Sequence, residues 1–316
     1  MSLVILLSLS LPRAAWDNKR DTGEQIAKTR SKRLDVIDDG LFCPEVGDWA
    51  EEKHGIVSLY AKLFSTGMKE KWDERVYIEL YAGSGFAKIR NTTRVIAGSP
   101  IRALTLEHPF DKYIFCEENA AQLDVLKKRV KQIAPQRAVA YVAGDCNEHI
   151  SEVLANIPAP SANHRVLSLC FVDPFDIGIK FETLRKLSVM YMDFLVLLAL
   201  YMDANRNVAN YVKDEARKVD EFLGSETWRT RWAVRRRQGT EFPQFLAEEF
   251  SGSMESLGFQ HQPFYKMKAI RMPEKNIRLY RLALFSRRSV AYSFWDEVLK
   301  YSTTQKAFDF ENPRGN

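Results

Sequence analysis

Short apolar runs alternate with amphipathic stretches along the chain from Val76 onward. The runs that predict strands are almost continuously apolar, which is typical of parallel strands covered on both faces of a sheet. The predicted strands are Val76–Ala82, Tyr113–Glu117, Ala138–Ala143, Val166–Val172 and Phe194–Leu198. The predicted helices are Pro100–Glu107, Ala120–Ile133, Ile150–Ile157 and Phe181–Leu187. Strands and helices that alternate in this way indicate consecutive βαβ units.

Two more strand-like runs follow near the carboxyl terminus. Phe259–Met272 and Ile277–Ser286 flank the short loop Pro273-Glu274-Lys275-Asn276, which predicts an antiparallel hairpin. Five parallel strands followed by such a hairpin form the Rossmann-like sheet of a class I methyltransferase, which uses S-adenosylmethionine (SAM). The predicted fold class is therefore α/β with this sheet and a helical insertion.

The same patterns predict four parts of the chain. Residues 1–53 are polar and charged and form an arm or cap, and residues 54–202 form the SAM-binding core. Residues 203–257 form a helical insertion, and residues 258–316 complete the core with the hairpin and a last helix.

Composition narrows the class of protein without identifying it. The chain has 316 residues, of which 46% are hydrophobic, enough for a full core, so a disordered chain or a disulfide mini-protein is excluded. A net charge of +5 permits a nucleic-acid partner but does not require one. The four cysteines form no CxxC pair and the five histidines no metal-binding spacing, so we expect free thiols, no metal site and a cytoplasmic location.

The apolar run Val4–Leu11 is too short to span a bilayer. Three interpretations of this run stay open: a signal peptide, a mis-called start codon and a docked strand.

The strongest local signal is the sequence from Glu79 to Gly85 at the end of the first predicted strand. Its glycines permit positive φ and let a ligand lie against backbone amides. An acidic residue four positions before the first glycine suits the ammonium of SAM, and Lys88 replaces the third glycine of a dinucleotide fingerprint. A plain strand-to-helix turn is the alternative. The predicted cofactor residues of this loop are Glu79, Tyr81, Gly83, Ser84 and Gly85.

Acidic residues also follow the second and third predicted strands. Glu117 stands where an α/β fold holds the ribose hydroxyls of a nucleoside, and Asp145 can accept from an adenine amino group or cap a helix. Glu117 lies further from the glycines than the ~20 residues of a tight Rossmann unit, which an inserted loop over Phe86–Ala97 explains. The next helix is expected to begin with Ser99 as N-cap and Pro100 after it.

The fourth predicted strand ends in Asp173-Pro174-Phe175. This sequence resembles the tetrad of amino-group methyltransferases, in which carbonyl or carboxylate oxygens receive the target amine and the aromatic ring stacks on the base. Proline fixes φ and removes a donor, which would hold the acceptors in place. The second proline of that tetrad is missing here, and an ordinary turn is the alternative. Asp173, Pro174 and Phe175 are the predicted catalytic residues.

A run of arginines in the predicted insertion is a second candidate for binding. Arg229, Arg231, Arg235, Arg236 and Arg237 lie between and beyond Trp228 and Trp232. Phosphate pairing and stacking would make this Arg229–Arg237 cluster a nucleic-acid contact. A solvated helix face or a protein interface is an equal alternative.

Taken in order, these motifs resemble the three-Cys-motif partner protein (TcmP) family over roughly His54 to Phe308. The matching segments are Tyr77 to Gly85, Gly98-Ser99-Pro100 with Ala103-Leu104, Cys116-Glu117, Gly144-Asp145, Phe171 to Phe175, Arg206-Asn207 and Leu279 to Phe285. The resemblance implies a methyltransferase-like bacterial or phage protein encoded beside a second protein with three clustered cysteines, which suggests an iron-sulfur site in that partner. Two departures are Glu79-Leu80-Tyr81 for the family's Asp-Gly-Phe or Asp-Leu-Phe, and Asp176 for a glycine after the Asp-Pro-Phe sequence.

The leading hypothesis is a SAM-dependent enzyme that methylates an amino group, with nucleic acid as the favoured substrate. A non-catalytic SAM- or nucleotide-binding partner of the three-cysteine protein is the main alternative, because such a module needs the glycine loop but not the Asp173 corner. A nucleotide-dependent hydrolase is disfavoured, because the chain has no GxxxxGK[ST] phosphate loop.

Overall fold

The computed structural model describes residues 35–213 and 215–311. Its strands are β1 (Asp35–Val36), β2 (Glu45–Val46), β3 (Glu74–Glu79), β4 (Phe86–Ile89), β5 (Val95–Ala97), β6 (Lys112–Glu117), β7 (Val139–Ala143), β8 (Val166–Val172), β9 (Met192–Leu198), β10 (Lys268–Met272) and β11 (Ile277–Phe285). Its α-helices are α1 (Trp49–Met68), α2 (Ser99–Leu104), α3 (Ala120–Ile133), α4 (Ile150–Ala155), α5 (Phe181–Leu187), α6 (Val208–Tyr211), α7 (Lys218–Leu223), α8 (Trp228–Arg237), α9 (Phe242–Ser256) and α10 (Ser289–Glu311). A π-helix covers Leu200–Ala204 and a 3₁₀ turn covers Phe264–Lys266.

The main sheet has seven strands in the order β7-β6-β3-β8-β9-β11-β10. The first five are parallel, whereas β11 runs antiparallel to β9 and β10 runs antiparallel to β11. This order, with its reversed hairpin, is that of the class I methyltransferase sheet, and the α/β fold class predicted from the sequence is confirmed. The apolar strands β8 and β9 are buried at every position, as expected for strands covered on both faces.

Helices cover both faces of this sheet, and β3 contributes to each layer. Tyr77 points into a core formed with α1, α3 and α10, whereas Val76 and Ile78 point into a core formed with α4, α5 and the helices of the insertion. Because side chains alternate across a strand, the central strand separates two hydrophobic layers. Its carboxyl end therefore opens between them.

The structure corrects two sequence predictions outside the parallel strands. Phe259–Met272 is not one strand, because β10 begins only at Lys268 and the 3₁₀ turn occupies the residues after Pro263, which has no N–H to donate to a ladder. The predicted inserted loop Phe86–Ala97 forms the antiparallel hairpin β4/β5, which turns at Asn91 with φ 59°.

This hairpin belongs to a second, four-stranded sheet with the order β1-β5-β4-β2. The two short strands β1 and β2 come from the polar segment that precedes α1, so part of the predicted arm pairs with the hairpin beside the glycine loop. The run Val4–Leu11 lies outside the described residues. The division of the chain into four parts stays a prediction.

One fully buried arginine connects this small sheet to the main one. Arg129 lies on α3, and its guanidinium donates to both carboxylate oxygens of Asp39 at 2.8 Å. Its Nη1 also donates to the carbonyl oxygens of Phe42 at 3.0 Å and of Ser84 at 2.7 Å. The hydrogen bond from Arg129 holds the pKa of Asp39 below its usual range. Arg129 thus joins the N-terminal segment, the glycine loop and α3.

We expect Arg129→Met to destabilise the protein by about 3 kcal/mol, because it leaves a carboxylate and buried carbonyl groups without their donor. Urea unfolding at neutral pH measures this loss. Arg185→Met is the matched control, since Arg185 forms a similar two-bond pair with Glu182 on the surface and should cost under about 1 kcal/mol. Equal losses in the two variants would contradict a special role for Arg129.

Candidate cofactor and acceptor site

The glycine loop continues the hydrogen bonding of β3 to both of its neighbours. The N–H of Leu80 donates to the carbonyl of Phe171 in β8, and the N–H of Ala82 donates to the carbonyl of Cys116 in β6. Parallel strands place their carboxyl ends at one edge of the sheet, where open α/β folds bind ligands. The predicted residues after β3, β6, β7 and β8 therefore lie at the same edge.

Two glycines of this loop adopt positive φ for different reasons. A Cβ added to Gly83, which has φ 62°, would find only the side-chain oxygen of Gln122 at 3.9 Å, so the backbone faces open space there. A Cβ added to Gly85, which has φ 88°, would lie 2.8 Å from Leu126 on α3. Gly83 therefore leaves room for a ligand, whereas Gly85 lets the helix pack against the loop.

Glu117 fixes the loop at the end of β6. Its Oε2 accepts from the backbone N–H of Gly83 at 2.7 Å, and its Oε1 accepts from the N–H of Asn119 at 3.0 Å. Asn119 in turn caps α3 by accepting from the N–H groups of Ala121 and Gln122. The carboxylate is partly exposed, and a carboxylate offers about four lone-pair sites, so each oxygen can accept one more hydrogen bond.

Glu79 lies beneath this edge rather than facing it. Its side chain is buried, its Oε1 accepts from the Ser99 hydroxyl at 2.5 Å and its Oε2 accepts from the Tyr77 hydroxyl at 3.0 Å. Burial raises the pKa of Glu79 well above its usual range, and the negative charge of Asp173 raises it further. A neutral buried group is a poor partner for an ammonium. The structure therefore does not place Glu79 where the sequence analysis expected it to act.

The predicted N-cap residue Ser99 has the same partner. Helix α2 begins at Ser99 and the residue in the N-cap position is Gly98, so the expected cap is wrong by one position. The hydroxyl of Ser99 donates to Glu79 instead of capping the helix. Pro100 stands in the first turn, as expected.

Ser84 and Tyr81 also point away from open solvent. The Ser84 hydroxyl is buried and donates to the carbonyl of Phe86 at 3.1 Å, so its side chain holds the loop. Tyr81 is partly buried against the core, and burial raises the pKa values of both Tyr81 and its hydrogen-bond partner Cys146, the latter to about 12. These side chains support the site from below.

Asp145 turns the chain after β7. Its Oδ1 accepts from the N–H of Asn147 at 2.8 Å, and the side chain is partly exposed at the strand edge. Asn147 bridges to the loop after β8, where it donates to the carbonyl of Gly178 at 3.1 Å and accepts from the N–H of Lys180 at 3.0 Å. Helix α4 begins at Ile150 with His149 in the N-cap position, so Asp145 forms a turn and not the helix cap that was the alternative interpretation. Asp145 follows Gly144, whose N–H donates to the carbonyl of Glu117.

The Asp173 corner contains an ion pair with a lysine of α1. Asp173 Oδ2 lies 2.5 Å from Lys53 Nζ, and their side chains are only 13% and 15% exposed. Pro174 is buried, whereas the ring of Phe175 is 88% exposed. The carboxylate is thus occupied by an amine of the chain itself, and the aromatic ring stands free in solvent.

Two features of this edge carried no signal in the sequence. Lys53 is 120 residues from Asp173 and lies in a segment with no recognised motif. The π-helix after β9 carries Asp203, whose Oδ2 accepts from the N–H of Ile177 at 3.1 Å, and Lys218 pairs with Asp176 at 2.6 Å. A helix of this rare kind often marks a functional position. These bonds fix the loop after β8 to the insertion.

The Arg229–Arg237 cluster is largely neutralised inside the insertion. Its members Arg229, Arg231 and Arg235 form ion pairs with Asp220, Glu249 and Glu248 at 2.5 to 2.6 Å. Trp228 and Trp232 are buried, so they offer no stacking surface. Arg236 and Arg237 are exposed and form no ion pair with the part of the chain that the structure describes. A nucleic-acid contact here stays a prediction that only these last two arginines support.

Within residues 35–213 and 215–311, no group of three His, Cys, Asp or Glu side chains could hold a metal ion. In the same residues, no helix combines the length and apolar character that crossing a membrane requires. All four cysteines are free thiols.

Comparisons with known proteins give similarities of fold only. The sequence matches no model of a protein family and no curated protein. Protein LPL1258 of Legionella pneumophila is 13% identical with a TM-score of 0.44, over 79% of this chain and 90% of that one. An O-methyltransferase of Bacillus cereus is 10% identical with a TM-score of 0.39, over 86% and 93%. The O-methyltransferase TomG of Streptomyces achromogenes is 13% identical with a TM-score of 0.38, over 72% and 79%. The strand order, and not these similarities, assigns the class I methyltransferase fold.

The buried state of Glu79 predicts a dependence of stability on pH. Because its pKa is raised, the folded chain keeps a proton that the unfolded chain releases above about pH 4. The contribution of Glu79 to the free energy of unfolding is therefore fully present below that pH and is lost as pH rises towards the raised pKa. Glu79→Gln cannot ionise, so its free energy of unfolding should fall less between pH 5 and pH 8 than that of the unmodified protein.

Urea unfolding at several pH values measures this difference. Glu182→Gln is the control, since Glu182 lies on the surface in a pair with Arg185 and should leave the slope unchanged. Parallel pH curves for the Glu79 variant and the unmodified protein would show that the carboxyl is ionised in the folded state.

Proposed function

We propose that this protein is a SAM-dependent methyltransferase that acts on an amino group, with nucleic acid as its substrate. The observation that carries the proposal is the open face of Gly83, which lies beside Glu117 at the carboxyl end of the central strand. In this sheet order the cofactor crevice lies there. SAM supplies a methyl group on a sulfonium, and the transfer needs alignment of donor and acceptor more than acid or base catalysis.

The residues present fit the adenosine end of SAM better than its amino-acid end. Glu117 keeps lone pairs for the ribose hydroxyls, and Asp145 stands beside it for the adenine amino group. The ammonium has no partner in Glu79, which is buried and bonded to Ser99 and Tyr77. Backbone carbonyl groups of the loop are left to receive it.

At the acceptor end, Asp173 would receive the target amine and Phe175 would stack on the base. The free ring of Phe175 suits that role, since stacking of a base on an aromatic side chain contributes about 1 to 3 kcal/mol. Lys53 now holds Asp173, so the incoming amine must take the place of the Lys53 ammonium.

The Lys53–Asp173 pair also favours a second candidate, a SAM- or nucleotide-binding protein without catalysis. An acceptor corner that is permanently occupied would leave only the glycine loop and Glu117 in use.

In either case the resemblance to the TcmP family supports a partner with three clustered cysteines, in a reducing cytoplasmic setting. Isothermal titration with SAM and with its demethylated product, with and without that neighbouring protein, tests binding and the need for the partner.

We expect Gly83→Ala to weaken SAM binding about tenfold or more, because its methyl group occupies the space in which the ligand approaches the backbone. Gly239→Ala is the matched control, since Gly239 has φ 81° and open space around it. Both variants should lose about 1 kcal/mol of stability from the positive φ, but only the first should lose affinity in the titration. Equal affinities would remove the glycine loop from the site.

We expect Asp173→Ala to leave SAM affinity within about threefold while methyl transfer falls by about 10² to 10³, as for the loss of one group that stabilises a transition state. Transfer is measured with radiolabelled SAM on total RNA, DNA and protein. Asp176→Ala is the control, because Asp176 forms a similar lysine pair in the same loop and should keep most of the activity. Loss of SAM binding together with folding would make Asp173 a structural residue. If the unmodified chain and its partner methylate none of these acceptors, the non-catalytic candidate is the better one.

A further inference from the structure

Two arginines of the β10/β11 hairpin stand directly opposite each other. Arg271 in β10 is the cross-strand partner of Arg278 in β11. Like charges at directly opposed positions destabilise a strand pair. Both residues are partly exposed, where uncharged polar residues would avoid this repulsion, so the charges themselves need an explanation.

A β-bulge brings a third arginine to the same face. Ile270 pairs with Tyr280 and the next residue, Arg271, pairs with Arg278, so Leu279 is the extra residue of the bulge. Leu279 and Tyr280 both pack into the hydrophobic layer under α1. The bulge therefore turns Arg278 to the face that Arg281 shares. We call Arg271, Arg278 and Arg281 the hairpin arginine patch.

The patch forms few ion pairs with the described residues. Among the described residues, the carboxylate that pairs with it is that of Glu241, 3.7 Å from Arg278 and 63% exposed. Arg271 donates to the turn residue Asn276, and Arg281 donates to the carbonyl of Met267. The Nε of Arg281 is buried and has no hydrogen-bond partner among these residues. Burial lowers the pKa of Arg281, and the charges of Arg278 and Arg271 lower it further.

Aromatic rings lie within the patch. The guanidinium of Arg278 lies 5.3 Å from the ring centre of Tyr201, and its Nη1 is 3.0 Å from the Tyr201 hydroxyl oxygen. The guanidinium of Arg281 lies 4.1 Å from the ring centre of Phe264, and the neighbouring Tyr265 is 80% exposed. Tyr201 and Phe264 are partly buried, so Tyr265 is the exposed ring. Cations beside aromatic rings are the usual composition of a surface that binds single-stranded nucleic acid.

The patch also lies at the edge of the sheet that carries the site. Arg281 pairs with Leu198, the last residue of β9, so Arg278 and Arg271 extend beyond the carboxyl ends of the parallel strands. Strand β11 is two strands from β8, which ends in the Asp173 corner. Two strand spacings are about 10 Å.

We propose that the hairpin arginine patch binds backbone phosphates of a single-stranded nucleic acid, on the strand that presents its base to Asp173 and Phe175. The inference rests on the proposed function for the identity of the reaction, but the binding itself does not depend on it. Arginine forks match phosphate oxygens, and a bound phosphate removes the repulsion between Arg271 and Arg278. Carboxylates of an acidic protein would neutralise the charge but would not stack on the exposed ring of Tyr265.

The test is the binding of a fluorescent 20-nucleotide RNA or DNA strand of mixed sequence, measured in the absence of SAM over a range of salt concentrations. We expect Arg271→Gln/Arg278→Gln to raise the dissociation constant at least tenfold. The slope of log K against log salt should fall by about 1.4, which is about 0.7 for each phosphate that the variant no longer neutralises. Arg281 is left unchanged because it also supports Met267.

The matched control is Arg236→Gln/Arg237→Gln, which removes the same charge from the exposed end of the Arg229–Arg237 cluster. It should leave the salt slope nearly unchanged. Loss of binding in this control but not in the hairpin variant would place the nucleic acid on α8 and overturn the proposal. Equal losses in both would show that only net charge matters, which would also overturn it.

Two further measurements separate the remaining explanations. Titration with SAM should give the same dissociation constant for the hairpin variant and for the unmodified protein. Equal values would show that the variant is folded. They would also separate a loss of nucleic-acid binding from a failure of the proposed methyl transfer. Polyglutamate of equal charge should compete poorly for the unmodified protein. If polyglutamate binds as tightly as the oligonucleotide and is weakened as much in the hairpin variant, the patch recognises an acidic protein and the proposal is wrong.

Discussion

The guanidinium of Arg129 is the group on which the geometry of the site depends. A buried arginine must find acceptors for five N–H bonds, and here they come from Asp39, from carbonyl groups of residues 41–42 and from Ser84. A loop with two glycines at positive φ has unusual conformational freedom. Arg129 holds the back of that loop through the carbonyl of Ser84, while the front of it at Gly83 faces open space. The N-terminal segment thus acts on the site without touching the open face.

Charge balance at the strand ends imposes a second constraint. Glu79 and Asp173 lie at the ends of neighbouring strands, and the negative charge of Asp173 adds to burial in raising the pKa of Glu79. Lys53 lies beside Asp173, whereas Glu79 receives only hydroxyl groups. Burial therefore favours the neutral form of Glu79, whereas Asp173 forms an ion pair with Lys53. Helix α1 supplies the cation that makes this division possible.

The sequence alone predicts the helices and strands whose positions follow from hydrophobic periodicity. The helices Ala120–Ile133 and Phe181–Leu187 and the strand Val166–Val172 have the predicted bounds, because apolar spacing reports burial directly. Long-range polar contacts leave no such trace. Arg129 stands in a run with two lysines and resembles a solvent-facing residue, and Lys53 meets a partner 120 positions away. Glu79 was predicted as a ligand because its strand-end position was visible, whereas the hydroxyl groups that enclose it were not.

The two ends of the site differ in what binding must rearrange. At Glu117, both oxygens already hold backbone N–H groups of Gly83 and Asn119 and still have free lone pairs, so a ribose can bind without breaking an internal bond. A site formed in advance avoids the cost of ordering it on binding. At Asp173 the Lys53 pair must open before an amine can enter, and separating a largely buried ion pair is costly. Binding of the acceptor, and not of the cofactor, must offset this free-energy cost. A cofactor would therefore enter a finished site, and selection of the substrate would depend on whether its amine and its other contacts offset the loss of Lys53.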